Sequence, residues 1–215
     1  MEHPIVIIGA GGFGRHVLSI LRSTPDWDET RFLGFVDDGE VNRERLSRIN
    51  AKHLGTTEGL RTLPASTHYV IGIGNGKVRE KLDKKATEAG LYAYTVIHPD
   101  SSIASDSVVG EGSVICAGAR ITTNVELGRQ VHINMNVTIG HDANLDSYAT
   151  VYPLVALGGE TTIGERTTIG AGATINPLVH TGIDSYIAAG AVVIRNVADG
   201  GLVAGVPAVE KRPKQ

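Results

Sequence analysis

The adjacent residues His141 and Asp142, which follow Ile139 and Gly140, are the first candidates for chemistry in this sequence. A neutral imidazole can accept a proton from an attacking group near neutral pH. A carboxylate beside the ring can fix the tautomer in which the accepting nitrogen is free. Neighbouring side chains of a flat strand point to opposite faces, so the two groups can pair only where the chain bends. We predict that His141 is a general base and that Asp142 orients it.

A glycine loop near the N-terminus is the second candidate. An apolar strand is predicted at 5–9, a Gly-x-Gly-x-x-Gly motif spans 9–14, and a helix is predicted over 15–22. Such a loop lets a phosphate approach the free N–H groups at the start of a helix, although the motif also occurs as a purely structural turn. Asp37 and Asp38 end the next predicted strand, at the sheet edge where parallel α/β folds bind ligands. We expect a phosphate-bearing ligand at this edge.

The elements around the loop predict a small parallel sheet. The predicted strands are 5–9, 32–36, 69–73 and 92–97, and the predicted helices are 15–22, 43–49 and 77–89. Strands that alternate with helices in this way are typical of an α/β domain. The domain supplies about half of a dinucleotide-binding fold, and no second catalytic domain follows that would use a hydride. We therefore expect a ligand with one nucleoside rather than NAD, and we place this domain at 1–98.

A six-residue repeat fills the second domain, at 99–215. Sixteen positions at steps of six run from Ile103 to Val193, and all but Thr181 hold Ile, Leu or Val. This period is typical of a parallel β-helix, in which each unit forms one flat side of a prism and about eighteen residues close one coil. Glycine often follows the aliphatic residue, and we expect it to allow a tight backbone at the corner. The ends and outer faces of such a prism need covering, which favours a trimer.

Composition and charge exclude several classes of function. The net charge of −3 argues against a nucleic-acid partner. The single cysteine, Cys116, excludes an internal disulfide and suits a reducing compartment. The apolar run at 5–9 is too short to export or anchor the chain, so we expect a cytoplasmic protein without membrane insertion. The eight histidines form no tight ligand spacing, so we expect no catalytic metal.

Five short motifs, in a fixed order around the repeat, carry a resemblance to a known family. They are GAGGFGR (9–15), FVDD (35–38), IHP (97–99), IGHD (139–142) and AGVPA (204–208). Together they resemble the sialic acid O-acetyltransferase and nucleotide-aminosugar N-acetyltransferase family of the NeuD/PglD type, over almost the whole chain. The resemblance implies an N-terminal α/β half-Rossmann domain followed by a left-handed parallel β-helix of hexapeptide repeats.

The resemblance also implies an activity and a set of site residues. The family transfers an acetyl group from acetyl-CoA to a sugar hydroxyl or to the amino group of a nucleotide-linked deoxy-aminosugar, in surface glycan biosynthesis. The α/β domain would hold the nucleotide, and the β-helix would hold CoA at the interface of a homotrimer. The catalytic histidine falls on His141, the neighbouring acid on Asp142, and an acceptor contact on Asn134. The candidate acceptor-binding residues are then Asn134, Gly9, Gly11, Gly12, Arg15, Asp37, Asp38 and Asn75.

Three positions depart from the family pattern. Many members carry histidine where this chain has Thr150, histidine where it has Phe13, and lysine where it has Arg15. The first departure affects the expected contact between Thr150 and the coenzyme. The other two affect how the glycine loop would bind a phosphate. Arg15 can still bind a phosphate through two parallel hydrogen bonds.

The eighteen-residue coil predicts a path for the coenzyme. It places Gly159 one coil after His141, where the bare backbone N–H could bind the thioester carbonyl. We expect CoA to run on along the prism, with the loop from Gly205 to Pro207 at the adenine end. The candidate coenzyme-binding residues are Gly159, Thr150, Ala171, Ala189, Gly205 and Pro207, and the basic residues Lys211, Arg212 and Lys214 are candidates for the phosphates.

Two other functions remain open from the sequence. One is an O-acetyltransferase that acts on a free sugar such as sialic acid. The other is a nonenzymatic hexapeptide-repeat scaffold or ligand sensor, against which the His141-Asp142 pair and the AGVPA loop argue.

Overall fold

A computed structural model describes residues 3–211 of the chain. The first part contains strand β1 (Ile5–Ile8), helix α1 (Gly12–Ser23), β2 (Phe32–Val36), α2 (Arg43–Ser47), β3 (His53–Gly55), β4 (His68–Ile71), α3 (Gly76–Glu88) and β5 (Tyr92–Ala93), with 3-10 turns at Glu29–Arg31 and Thr57–Thr62. The five strands are parallel, in the order β3-β2-β1-β4-β5. The predicted parallel α/β sheet is confirmed, and its added edge strand β3 is too short to show an apolar pattern.

The second part is a prism whose three sides are stacks of short strands. Side 1 holds β6 (Val96–Ile97), β9 (Val114–Ile115), β12 (His132–Ile133), β15 (Thr150–Val151), β18 (Thr168–Ile169), β21 (Tyr186–Ile187), β23 (Leu202–Ala204) and the antiparallel β24 (Val209–Glu210). Side 2 holds β7 (Ser102–Ile103), β10 (Arg120–Ile121), β13 (Thr138–Ile139), β16 (Ala156–Leu157), β19 (Thr174–Ile175) and β22 (Val192–Val193). Side 3 holds β8 (Val108–Val109), β11 (Glu126–Leu127), β14 (Asn144–Leu145), β17 (Thr162–Ile163) and β20 (His180–Thr181). This is the predicted left-handed β-helix.

The core of the prism is the stack of residues that the repeat predicts. Along side 2, Ile121 pairs with Ile139, and Ile139 pairs with Leu157, each eighteen residues apart. All three side chains are buried. Burial of each such side chain stabilises the fold by about 2 kcal/mol, so the repeat supplies its own core with few aromatic residues.

The chain turns each corner through a left-handed residue, and this corrects the expected role of the glycines. The left-handed positions lie every six residues, at Asn124, Gln130, Asn136, Asp142, Tyr148, Leu154, Glu160, Arg166, Leu178 and Asp184, with glycine at Gly112, Gly118, Gly172 and Gly190. The glycine that directly follows the aliphatic residue is not among them. A Cβ on Gly140 would lie 2.5 Å from the backbone nitrogen of Gly159. These glycines therefore allow successive coils to approach closely, and the turn itself comes two residues later.

The segment predicted as one strand over 92–97 is divided between the two parts. The backbone N–H of Tyr94 donates to the carbonyl of Tyr69 in the first sheet. The N–H of Val96 donates to the carbonyl of Ser113 in the prism. The strand ends at Ala93 because the chain changes its hydrogen-bonding partner there. The division of the chain at residue 98 stays a prediction.

Arg79 of helix α3 forms hydrogen bonds to both the α/β part and the prism. It is fully buried, and burial lowers the pKa of its guanidinium to about 9. Its donors reach the carbonyl oxygens of Ile73, Gly74, Gln130, Tyr148 and Ala149 and the hydroxyl of Thr150. These partners belong both to the loop after β4 and to the prism, so one side chain fixes the position of that loop on side 1.

The buried carboxylate of Asp83, one helical turn after Arg79, is a second point of contact between the α/β part and the prism. It accepts hydrogen bonds from the side chains of Tyr69, Arg129, Gln130 and Tyr148. Burial alone would raise the pKa of Asp83, but these donors outweigh it, and the pKa lies below its usual range. Within residues 3–211, no helix combines the length and the apolar character needed to cross a membrane.

Candidate active site

His141 and Asp142 lie at the corner between sides 2 and 3, which we call the second corner. Asp142 has a left-handed backbone with φ of 59°, and this bend brings its Oδ2 within 2.6 Å of His141 Nδ1. A carboxylate can only accept hydrogen bonds, so the ring carries its proton on Nδ1 and leaves Nε2 free to accept one. The structure thus contains the bend that the pairing requires. Both side chains are about half exposed in the single chain.

Gly159 lies one coil after His141, in contact with the ring. A Cβ on Gly159 would lie 2.7 Å from both Nε2 and Cε1 of His141. The backbone N–H of Glu160 donates to the carbonyl of His141, which fixes the two coils at this point. Among residues 3–211 the N–H of Gly159 has no hydrogen-bond acceptor. The predicted role of that N–H as a donor to a thioester carbonyl is compatible with this position.

Asn124 was missed in the sequence. It lies one coil before Asp142 on the second corner, and its Nδ2 donates to Asp142 Oδ1 over 2.6 Å. The hydrogen bonds from Asn124 and then His141 lower the pKa of Asp142 below its usual range. The sequence signal for Asn124 is the spacing of eighteen residues from Asp142, the same spacing that relates His141 to Gly159.

The glycine loop is packed more tightly than the motif alone predicts, and α1 begins at Gly12 rather than at Arg15. A Cβ on Gly14 would lie 1.8 Å from the carbonyl oxygen of Gly9. No side chain caps the start of the helix at Gly11, so its first N–H groups are free of side-chain partners. Arg15 Nη1 donates to the carbonyl of Ala10, which folds the guanidinium over the loop.

Three predicted acceptor contacts have partners inside the chain. Asp37 accepts hydrogen bonds from the N–H groups of Ala10 and Gly39 and so braces the glycine loop. Asp38 accepts from both the backbone and the hydroxyl of Thr57, and Asn75 caps helix α3 by accepting from Val78 N–H. Each of these side chains has a structural task, and its contact with an acceptor stays a prediction.

Asn134 lies near the corner between sides 1 and 2, which we call the first corner. It is buried, its Nδ2 donates to the carbonyl of Val151, and it lines a cavity of about 90 Å³. The other lining residues are Phe13, Gly74, His132, Thr150 and Tyr152. Phe13 reaches this cavity from the glycine loop, with its ring centroid 5.0 Å from that of His132. The cavity therefore joins the loop to the prism.

Thr150 has hydrogen-bond partners inside the chain, and its contact with the coenzyme stays a prediction. The side chain is almost fully buried beneath the α/β part. Its hydroxyl donates to the carbonyl of Gly74 over 2.7 Å and accepts from Arg79 over 2.9 Å. The residue that replaces the family histidine thus belongs to the contact between the two parts.

The strand register assigns the predicted coenzyme residues to columns on the prism. Ile169 pairs with Ile187, and Ile187 pairs with Val203, so Ala171, Ala189 and Gly205 form one column on the first corner, with Pro207 in the loop that follows. Leu157 pairs with Ile175, and Ile175 pairs with Val193, so the column below Gly159 continues through Pro177 and Arg195 on the second corner. Gly159 and Ala171 therefore lie at different corners of one chain, because a spacing of twelve residues is two sides of the prism and not one coil. The coenzyme contacts of Ala171, Ala189, Gly205 and Pro207 stay predictions.

The basic residues near the end of the chain differ in what the structure describes. Arg195 is exposed, and its guanidinium has no hydrogen-bond or ion-pair partner within residues 3–211. The backbone N–H of Lys211 donates to the carbonyl of Leu202. Arg212 and Lys214 lie outside the described residues. In the described part of the chain, no group of three or more His, Cys, Asp and Glu residues is placed to hold a metal ion.

A left-handed β-helix that carries a His-Asp pair at a corner, after an α/β part, is typical of a hexapeptide-repeat acyltransferase. Residues 4–86 match the model of the PglD N-terminal domain family. A search of curated protein sequences found no match.

Solved structures match over nearly the whole chain. PerB from Caulobacter crescentus, in complex with CoA and GDP-perosamine, is 30% identical over 99% of each chain, with a TM-score of 0.88. The acetyltransferase domain of PglB from Neisseria gonorrhoeae, in complex with acetyl coenzyme A, is 30% identical over 98% of this chain and 100% of that one, with a TM-score of 0.88. WeeI from Acinetobacter baumannii is 28% identical, with the same coverage and a TM-score of 0.86. The chain belongs to the PglD/NeuD-type family of sugar acetyltransferases.

Proposed function

We propose that this protein transfers the acetyl group of acetyl-CoA to the amino group of a nucleotide-linked deoxy-aminosugar. The observation that carries the proposal is the His141-Asp142 pair with Gly159 against its ring. The similar PglB domain was solved with acetyl coenzyme A, and PerB with CoA and GDP-perosamine. Both ligands suit a site that combines a base with a phosphate-binding glycine loop.

The chemistry is an attack of a neutral amine on the thioester carbonyl. His141 Nε2 takes the proton that the amine loses, while Asp142 holds Nδ1–H and stabilises the imidazolium. The N–H of Gly159 donates to the oxyanion of the tetrahedral intermediate. The C–S bond then breaks, and the imidazolium returns the proton to the leaving thiolate. The products are the N-acetylated sugar and CoA with a free thiol.

The proposed site needs two copies of the chain. Asn134 lies by the first corner and His141 at the second, so up to about 23 Å of extended chain separates them along side 2. A second copy whose first corner faces the second corner of its neighbour would bring the two residues together. The side chains of Met135, Tyr152 and Leu154 are exposed apolar groups on the first corner, and such groups favour burial in an interface. We therefore infer a homotrimer, in which this contact closes around an axis.

The coenzyme would lie in the groove between the two copies. One wall is the second-corner column of His141, Gly159 and Arg195, and the other is the neighbour's column of small residues that begins with Ala171 and Ala189. Arg195 lies three coils from His141, about 14 Å at about 4.8 Å per coil. A pantetheine arm spans a distance of this order, and this supports the proposal that the unpaired guanidinium of Arg195 binds the phosphates of CoA. We also infer a cytoplasmic location, which suits a chain with one free cysteine.

The decisive experiment measures thiol release from acetyl-CoA with a panel of acceptors. The panel contains UDP- and GDP-linked 4-amino-sugars, the matching nucleotides and free sialic acid. We expect release only with the amino-sugars, an amide-bonded acetyl group in the product, and inhibition by the matching nucleoside diphosphate that competes with the acceptor and not with acetyl-CoA. Equal turnover of the free sugar would establish the O-acetyltransferase instead.

A further inference from the structure

We infer that Asn124 is a positioning residue for the acetyl transfer, which it serves by holding the carboxylate of Asp142 in the orientation that His141 needs. This inference rests on the proposed function of His141. Asn124 contacts neither reacting atom, so its effect is exerted through Asp142.

The geometry gives each oxygen of Asp142 its own donor. Asn124 Nδ2 lies 2.6 Å from Oδ1, and His141 Nδ1 lies 2.6 Å from Oδ2. A carboxylate held at one oxygen can rotate about that bond, whereas one held at both oxygens has a fixed plane. Asn124 and Asp142 have nearly the same left-handed backbone, with φ of 54° and 59°, so their side chains leave the second corner in the same direction.

Asn124 is itself anchored by the preceding coil. The hydroxyl of Thr123, the residue before Asn124, donates to the carboxylate of Asp106 in that coil. The second corner therefore holds Asp106, Asn124 and Asp142 in successive coils, with Glu160 in the coil after them. The neutral amide of Asn124 lies between the carboxylates of Asp106 and Asp142. It donates to Asp142 and separates the two like charges.

The arrangement matters because Asp142 and His141 are both half exposed in the chain. A single hydrogen bond between exposed groups is worth little, since water competes for both partners. If a third residue already holds the carboxylate of Asp142, less conformational entropy is lost when that carboxylate pairs with His141. Residues that hold a functional group from behind act in this way, and their loss typically costs about tenfold or more in activity.

The test variant is Asn124→Gly, because glycine accepts the left-handed backbone and has no side chain that could donate to Asp142. We expect kcat to fall about tenfold while KM for both substrates stays within about twofold. Asn50→Gly is the matched control, since Asn50 is also left-handed, with φ of 50°, but lies in the α/β part. It should leave both constants unchanged. Unchanged kcat in Asn124→Gly would overturn the inference.

A second measurement does not depend on turnover. The ¹⁵N chemical shifts of the His141 ring, recorded at pH 8.5, report which nitrogen carries the proton. We expect the Nδ1–H form to predominate in the wild type and in Asn50→Gly, and a mixture of both tautomers in Asn124→Gly. A wild-type pattern in Asn124→Gly would also overturn the inference. If the wild type turned over no amino-sugar, the proposed function would fail, while this measurement would still decide the role of Asn124.

A further variant covers the case in which Asn124→Gly does not fold. Asn124→Asp keeps the size and the left-handed tolerance of the residue but cannot donate, and it places a third carboxylate between Asp106 and Asp142. We expect it to lose at least as much kcat as the glycine variant. Wild-type kcat in this variant would contradict a donor role for Asn124.

Discussion

Gly159 lies directly against the imidazole of His141, so close that a Cβ there would be 2.7 Å from Nε2. This contact joins two coils at the point where the proposed reaction takes place. It also makes the absence of a side chain at residue 159 a requirement of the site, independent of the backbone angles of that residue.

The first prediction concerns this contact. In Gly159→Ala the new methyl group would displace the imidazole, and we expect kcat to fall about a hundredfold, the usual scale for loss of a general base. The matched control is Gly59→Ala, since no atom lies within 4 Å of a Cβ at Gly59. It should keep full activity. Thiol release at saturating substrates is the measurement, and an active Gly159→Ala enzyme would remove Gly159 from the site.

The second prediction tests the site between copies. His141→Asn and Asn134→Ala should each reduce kcat/KM about a hundredfold or more on their own. In a mixed trimer one interface of three combines the intact His141 with the intact Asn134, so about one third of wild-type activity should return. The two variants would be co-expressed with different tags and purified through both. No recovery, or a monomeric mass by light scattering, would contradict the composite site.

The third prediction concerns Arg195. Replacement by alanine removes a cation from the second-corner column without breaking a bond within the described chain. We expect KM for acetyl-CoA to rise about fivefold to tenfold, as for the loss of one charge-assisted hydrogen bond, with KM for the acceptor and the melting temperature unchanged. Arg43→Ala, on the α/β part, is the control. A rise in KM for the acceptor alone would place the coenzyme phosphates elsewhere.

The fourth prediction concerns the buried carboxylate between the two parts. Asp83→Asn leaves Arg129 without its buried partner, and we expect the free energy of unfolding to fall by about 3 kcal/mol at pH 7. Because the folded pKa of Asp83 lies below the ordinary value of 3.8, its contribution is present above that value and is lost as the pH falls through the folded pKa. The difference between wild type and variant should therefore shrink below about pH 4.

The measurement for this fourth prediction is urea unfolding over a range of pH. The control is Glu44→Gln, which removes the carboxylate of an exposed pair with Arg48. It should change the free energy of unfolding by no more than about 0.5 kcal/mol. A difference for Asp83→Asn that stays constant down to pH 3 would contradict the proposed linkage.

The prism could be predicted from the sequence because its core repeats. The aliphatic residues from Ile115 to Val193 that follow the repeat are buried in one stack, so one interval describes most of this part. The bend at Asp142 was predicted only as a condition for pairing, because Asp tolerates a left-handed backbone without requiring one.

Other features could not be predicted because they depend on contacts between distant segments. The burial of Thr150 depends on Arg79, which is 71 residues away in sequence. Ala171 and Gly159 lie at different corners because each side takes six residues. A spacing of twelve residues therefore moves the chain by two sides around the same coil. Asp38 and Asn75 look like ligand-binding residues in sequence, yet their oxygens already accept hydrogen bonds from Thr57 and Val78.

The hydrogen bonds of Arg79 have a consequence for the selection of the acceptor. They leave the loop after β4 no freedom to swing away from the prism, because five carbonyl groups and a hydroxyl hold one guanidinium. In the proposed trimer, the distance between a nucleotide on the glycine loop and His141 of the neighbouring copy would then be fixed. Such an enzyme would select its acceptor by length. It would acylate the amino group whose distance from the phosphates of the nucleotide matches the distance between the glycine loop and His141.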